Sequence, residues 1–452
     1  MKITTSSGSL ILSGIVLFIA SAPGYAAGPA HDPGVRDPST PAAGTALAGL
    51  TPDEQEYFEA GLDDFSEAEG VGGGLGPRFN LDACGGCHSQ PAIGGTAPVV
   101  NPQVKVATDF GAQNTLPSFI TANGPVREAR FKFRRDGSRD GGVHALFVIS
   151  GRVDSTGDAG SCNITQDDFA AHLARDNVIF RIPTPTFGAG LMEQIPEAAI
   201  LKNLAAFAGP KAQLGISGHV NRNGNDGTIT RFGWKAQNKS LLMFSGEAYN
   251  VEMGITNEIF QNERDETAQC QIASQPNDVT DIGTASAVET VSDTVKFAIF
   301  MRFLAPPTRS SDMPGGSASI GRGRQLFANV GCAYCHSPTL KTAVSTVAAL
   351  SEKNVNLFSD LAVHRMGPRL ADNILQGNAA GDEFRTAPLW GLGQRVFFLH
   401  DGRTSDLAQA IRAHASDGNR EFGPSEANRV IGAYNQLSES AKQDLLNFLR
   451  SL

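Results

Sequence analysis

The apolar positions fall into a few contrasting patterns. Leu10 to Ala20 is apolar apart from Ser13 and glycine, follows a weakly positive start at Lys2, and leads to Gly24-Tyr25-Ala26, small residues of the kind a signal peptidase reads. The run is too short for a good transmembrane span, and no later stretch offers ~20 apolar residues. The pattern predicts an export signal over residues 1–26, a loose Pro/Ala/Gly-rich leader over 27–48, and a mature chain that works in the periplasm without a membrane span. Further on, Ala145-Leu146-Phe147-Val148-Ile149 reads as a short β-like run, with turn clusters such as Asn221 to Gly227 nearby. Ile320 to Phe327 reads as a helix leading to Cys332, with Gly323 and Phe327 on one face. Ser440 to Leu452 reads as an amphipathic helix with the stripe Leu445, Phe448, Leu449 and Leu452, and Ser440 and Gln443 have capping-box spacing. A glycine at 323 lets that last helix cross closely.

Ala305 to Gly316, with Pro306, Pro307, Pro314 and Gly315, reads as a linker. The expected organisation is an N-terminal domain over 49–304, the linker over 305–316 and a C-terminal domain over 317–452. The fold class expected is mainly α, with an irregular, partly β insertion in the N-terminal domain. Length agrees, since 452 residues suggest about two or three domains. The formal net charge is −9 and no Lys/Arg block appears, which argues against a nucleic-acid partner.

Cysteine spacing decides the chemistry. Cys84-Gly85-Gly86-Cys87-His88 and Cys332-Ala333-Tyr334-Cys335-His336 are both C-x-x-C-H, the attachment pattern of c-type haem. Two thiols three positions apart can add to the two haem vinyl groups, and the following histidine then lies beneath the iron. A single copy could be a redox dithiol or half a zinc site; two copies in an exported chain point to two covalently bound haems in two cytochrome c-like domains. Cys162 and Cys270 have no metal-ligand spacing, and in an oxidising compartment a disulfide is the default.

With these motifs the chain resembles the di-haem oxidoreductases often labelled thiol oxidoreductases. That family is related to bacterial di-haem cytochrome c peroxidases and to the di-haem enzyme that matures methylamine dehydrogenase. The resemblance rests on Gly74-Leu75-Gly76-Pro77, Pro91-Ala92-Ile93-Gly94-Gly95, Phe232-Gly233-Trp234-Lys235-Ala236, Glu252-Met253-Gly254-Ile255-Thr256, Leu370-Ala371-Asp372, Arg385 to Gly393 and Leu399-His400-Asp401-Gly402-Arg403.

The resemblance implies a set of roles. The relatives' C-terminal haem takes a distal Met fourteen residues after the His-Asp-Gly motif; the residue there is His414, which implies a bis-histidine haem held by His336 and His414. Met366 and His364 compete for that position. His400 is expected beside this haem without ligating it, and Arg385 and Arg403 are candidate propionate partners. No family ligand position is matched at the first haem, so an open distal face at His88 is expected, with His144, His172 and His219 as competing ligands. Glu252 matches the relatives' acid/base glutamate. Trp234, eighteen residues earlier, matches a tryptophan placed between the haems, while Glu193 and Glu197 are reserve acids. The relatives also hold calcium, though no dense carboxylate loop is seen here. The expected function is a periplasmic, peroxidase-like di-haem oxidoreductase. Electrons from a small donor protein, a cytochrome or a cupredoxin, reach hydrogen peroxide or another small oxidant. The relatives are often dimers, so a homodimer is one expected assembly. Three rivals stay open: a pure electron carrier with both irons six-coordinate, an accessory redox protein of iron or metal uptake, and a thiol oxidase using Cys162 and Cys270.

Overall fold

The first helix, Pro52–Ser66, starts where local chemistry directs it. The Thr51 hydroxyl accepts from the Glu54 N–H, the Glu54 carboxylate returns to the Thr51 N–H, and Pro52 takes the first helical position. Its buried face, Phe58, Gly61 and Phe65, lies on the helix Asp293–Phe303. Gly61 is required there, because a Cβ would stand 2.4 Å from the Lys296 carbonyl oxygen. Lys296 also clasps Asp64 at 2.7 Å. Asp293–Phe303 also receives the helix Leu241–Met253, which Ser240 caps by accepting from the Met243 N–H.

The computed structural model describes residues 28–36 and 43–452, so the expected export signal lies outside the described residues. The architecture is mixed: helices joined by long irregular segments, with one three-stranded and three two-stranded antiparallel sheets among the described residues. The β-like run around 145–149 forms the strand Phe147–Val148, paired with Arg78–Phe79. In the three-stranded sheet Glu128–Phe131 lies between Val143–His144 and Val178–Arg181. Alternation puts Ala129 and Phe131 into the core and turns Glu128 and Arg130 to the other face, with Glu128 in register with Arg181.

The last helix, Glu439–Ser451, crosses the helix Gly316–Asn329 in intimate contact. Gly323 permits this, since a Cβ would stand 2.0 Å from the Asp444 carbonyl oxygen. Leu445, Leu446, Phe448 and Leu449 are buried, each contributing about 1.5–3 kcal/mol; a bulky residue at 323 would pry that seam apart. The cap is Ser438, not Ser440. Ser438 is extended at φ −62°, ψ 157°, and its hydroxyl accepts from the Ala441 N–H.

The segment read as a loose leader and the segment read as a linker are both tied down. In the leader, Asp32 receives both arms of Arg450 at 2.7 and 2.6 Å, and the Arg36 N–H donates to the Gly393 carbonyl at 2.8 Å. In the 305–316 segment, the Ser310 N–H donates to the Ser451 carbonyl at 2.9 Å. Among the described residues no helix is long and apolar enough to cross a membrane.

Candidate functional site

Each C-x-x-C-H motif opens onto a cavity. Cys84–Cys87 forms one helical turn, and the next residue, His88, donates from Nδ1 to the Gly95 carbonyl at 2.9 Å. The loop carrying Gly94 and Gly95 returns both N–H groups to the His88 carbonyl. At the second motif, Cys332–Tyr334 is a 3-10 turn and His336 donates from Nδ1 to the Phe358 carbonyl at 3.0 Å. In both rings the bond leaves Nε2 as the lone-pair nitrogen, the arrangement that orients a metal-ligating histidine. Burial pushes the pKa of each ring down to about 4, so both are neutral. Burial also pushes the thiols of Cys84 and Cys332 up to about 12, which makes them poor thiolates for disulfide exchange.

The His336 cavity measures about 220 Å³ and is walled by residues such as Phe327, Leu389, Phe398 and Leu449. His414 lines it too, at the end of the helix Leu407–Ala413, donating from Nδ1 to the Ala410 carbonyl at 2.8 Å. It therefore presents the same free nitrogen as His336. His364 also lines the cavity, but Asp360 at 3.0 Å and Glu426 at 2.8 Å take both its nitrogens, and the neighbouring Cys335 and Asp360 raise its pKa, against burial, well above the usual imidazole range. Met366 reaches the same wall. His400 is buried there, stacked on Phe384 at 4.4 Å, with its pKa pushed down by burial to about 4.

The His88 cavity measures about 170 Å³ and contains no second histidine. The three competing histidines lie elsewhere. His144 and His172 stack on Phe131, each at 3.7 Å, and His219 is bonded to Glu383 at 3.0 Å. Carboxyls reach the cavity instead. Glu252, in the last turn of Leu241–Met253, lines it, and so do Glu128 and Arg130 from the three-stranded sheet. Burial, then the Glu128 charge, push the Glu252 pKa well above the usual carboxylate range. Gly254 ends that helix at φ +78°, where a Cβ would stand 2.6 Å from the Gly76 carbonyl oxygen. The reserve acids are structural: Glu193 pairs with Arg302 at 2.7 Å and Glu197 accepts from the Ile229 N–H, and neither lines the His336 or the His88 cavity.

Trp234 lines both cavities, and no other residue of their linings is shared. Its indole N–H donates to the Ile182 carbonyl at 2.8 Å. The adjacent Lys235 is fully buried and pairs with Asp372 at 3.0 Å, while Arg181 pairs with the other Asp372 oxygen at 2.6 Å. This network brings together the separate sequence marks at 232–236 and 370–372.

The sequence match decides the family. Residues 134–452, more than two thirds of the chain, match the family model described as "Di-haem oxidoreductase, putative peroxidase". The chain belongs to the di-haem oxidoreductase family. Among curated proteins none matches it. Among solved structures, the di-haem peroxidase BthA from Burkholderia thailandensis is 16% identical, with 60% of this chain and 86% of that chain covered and a TM-score of 0.30. A MauG-like protein associated with microbial copper homeostasis is 15% identical, covering 57% and 89%, with a TM-score of 0.28. Hydrazine synthase from Kuenenia stuttgartiensis is 18% identical, with a TM-score of 0.23; the match spans 37% of this chain and only 56% of that one. All three TM-scores lie below 0.5, so the family assignment rests on the sequence match.

A family of this kind carries two haems, and the residues of each cavity fit one. Each offers an apolar chamber, paired cysteines and a neutral histidine with Nε2 free. The His336 cavity adds two buried guanidiniums. Arg385 donates to the Gly233 and Thr386 carbonyls. Burial, then the charge of a neighbouring arginine, push both Arg385 and Arg395 down to about 10. Two such cations fit the carboxylates of a haem edge. Arg403 is not part of this pair: it is bound to Asp401 at 2.6 Å and lines neither cavity. Sequence reasoning missed Arg395, which no local pattern marks, and Glu128, whose only signal was the two-residue alternation over 128–131. Among the described residues no group of three or more His, Cys, Asp or Glu is arranged to hold a metal ion, so calcium gains no site from this geometry.

Proposed function

We propose that this chain is an exported, peroxidase-like di-haem c-type oxidoreductase. In this reading Cys84, Cys87 and His88 would hold one haem, attached through the two cysteines, and Cys332, Cys335, His336 and His414 would hold the other. The first belongs to a domain over 49–304 and the second to one over 317–452, joined by 305–316. The bound haems supply the redox centres that store and pass single electrons. The observation that carries the reading is the asymmetry of the two cavities: a second histidine with its Nε2 free in one, and a carboxyl in place of a histidine in the other.

The chain's own residues then divide the work. His414 keeps the C-terminal site closed, which suits electron entry from a small cytochrome or cupredoxin. Trp234 places an indole between the sites, held by Ile182. Glu252 holds a proton at the His88 site, where a small oxidant such as hydrogen peroxide enters. Peroxide reduction consumes two electrons and two protons and yields two waters, and the acid/base group moves a proton between the two oxygens. Arg385 and Arg395 anchor the C-terminal cofactor by charge. Thiol oxidation gains little support, because Cys162 and Cys270 are bonded to each other and 3% exposed.

Low-temperature EPR of the ferric protein, repeated after one-electron reduction, tests the reading. A high-spin haem in either state, assigned to the N-terminal site by its absence in His88→Ala, supports it. Peroxide turnover with a reduced donor then follows. Two low-spin haems in both states would sink it in favour of an electron carrier.

A further inference from the structure

The His88 cavity contains a second carboxyl that the proposed proton transfer has not yet used. We propose that Glu128 is a positioning residue for Glu252: the two carboxyls share one proton across a common hydrogen bond on the wall of that cavity. The inference rests on the peroxidase reading of the same site.

The geometry comes from two separate elements. Glu128 and Arg130 stand on one face of the strand Glu128–Phe131, and the Arg130 Nε donates to Glu128 Oε1 at 2.6 Å. Glu252 approaches from the last turn of Leu241–Met253 and lines the same cavity wall as Glu128, where the charge of each carboxyl acts on the other. Asn80 fixes which Glu252 oxygen is which. Its Oδ1 accepts from the Leu146 N–H at 2.8 Å, so its Nδ2 must be the group that donates to Glu252 Oε2 at 2.7 Å. Oε2 is thereby an acceptor toward Asn80, and Oε1 is the oxygen left to carry the proton in the proposed pair.

Two ionised carboxylates on one wall of a largely apolar cavity repel, and holding a single proton between them removes the conflict. Arg130 decides the allocation. Its charge, with that of Arg181 across the sheet, holds Glu128 below the usual carboxylate range against the cost of burial. Glu252 is raised by burial and by Glu128, more than Asn80 and Arg130 relieve it. Arg264 also faces the pair, and Glu247 acts on Arg130. The dyad is thus an acid and a base at once. As Glu252 gives its proton to one peroxide oxygen, the proton on the other oxygen enters the dyad, which ends with the one proton it began with. The O–O bond breaks as two electrons arrive from the donor, and two solvent protons complete two waters.

pH-perfusion difference infrared spectroscopy on the haem-loaded protein tests the dyad without turnover. A protonated-carboxyl C=O band is expected at neutral pH, absent in Glu252→Gln. In Glu128→Gln its titration midpoint should fall by about 1–3 pH units, because the like charge is gone. Glu128→Asp should restore it in part. Should Glu128→Gln fail to fold, Arg130→Gln serves: loss of the cation should move the midpoint up instead. With peroxide as substrate, the alkaline limb of the kcat profile should follow the infrared midpoint in each variant, with KM nearly constant. A midpoint indifferent to both substitutions overturns the dyad, even if the wild type turns over peroxide. A wild type inert to peroxide whose band still moves as stated keeps the dyad and removes the peroxidase reading.

Discussion

Trp234 meets His400 edge-on, with ring centroids 6.4 Å apart and planes at 74°. His400 in turn stacks on Phe384, over whose ring the Lys235 ammonium lies at 4.2 Å. The one side chain common to both cavities is thus braced by aromatic and main-chain contacts. Replacing it by phenylalanine removes the indole N–H and leaves the Ile182 carbonyl without that partner. Trp234→Phe should cost about 1–2 kcal/mol in stability and leave both haem absorption spectra unchanged. Flash-initiated electron equilibration between the haems should slow markedly. An unchanged equilibration rate would exclude Trp234 from the route.

His414 offers a second, independent test. Its Nδ1 is held by the Ala410 carbonyl, as that of His336 is held by Phe358. His414→Ala should convert one haem from low-spin to high-spin, as read by EPR. His414→Met should restore a low-spin haem at a higher reduction potential, because a thioether favours the reduced iron more than an imidazole does. A spectrum indifferent to both substitutions would shift the ligand to Met366 on the same wall.

Asp372 holds Lys235 and Arg181 together, with both the aspartate and the lysine side chain fully buried. Removing one partner of such a cluster strands the others in a medium that solvates them poorly. Asp372→Asn should destabilise the protein by about 3–5 kcal/mol. The loss should appear in the urea midpoint, and it should exceed that of the exposed-pair control Lys341→Gln, since Lys341 and Glu352 are solvent-exposed.

These cases show where sequence was informative. Both C-x-x-C-H motifs could be read because haem attachment depends on contiguous residues, and the structure opens each onto its own cavity. The crossing at Gly323 was legible because a helix face and a small residue are local properties. Glu128 and Arg395 were not. Glu128 joins Glu252 on one cavity wall through sheet register and helix packing that bring together residues 124 positions apart, as their numbers give directly. Arg395 becomes notable only when burial removes its water. The displaced cap has a similar cause: Ser438 and Ser440 share one composition signal, and only the extended backbone at 438 chooses between them. The leader read as loose by composition, whereas the Asp32–Arg450 pair is a contact that composition cannot encode.

Cys162 and Cys270 close a loop of 108 positions and are buried. Thiol titration of the denatured, unreduced holoprotein should find no free thiol, since the other four cysteines are expected as thioethers. The Cys162→Ser, Cys270→Ser double variant should lose about 2–5 kcal/mol while matching the wild type in the peroxide assay at permissive temperature. Loss of turnover with intact folding and haem spectra would revive a redox role for this pair.

The cavities themselves make the last prediction. Cavities of about 220 and 170 Å³, lined mostly by apolar side chains, leave those side chains without packing on one side. At about 24 cal/mol per Å³, leaving them unfilled costs roughly 5 and 4 kcal/mol. That is comparable with the whole stability of an ordinary domain, about 5–15 kcal/mol. The chain expressed without haem attachment should therefore be largely unfolded, with weak near-ultraviolet circular dichroism and no cooperative thermal transition. Replacing Cys84 and Cys87 alone should confine the damage to the N-terminal half. Native-state amide exchange should then show protection retained in Gly316–Asn329 and Glu439–Ser451 and lost in Pro52–Ser66. A cooperative melt from the haem-free chain would mean that side chains collapse into both cavities at small cost, and the cavities could not then be counted as haem chambers.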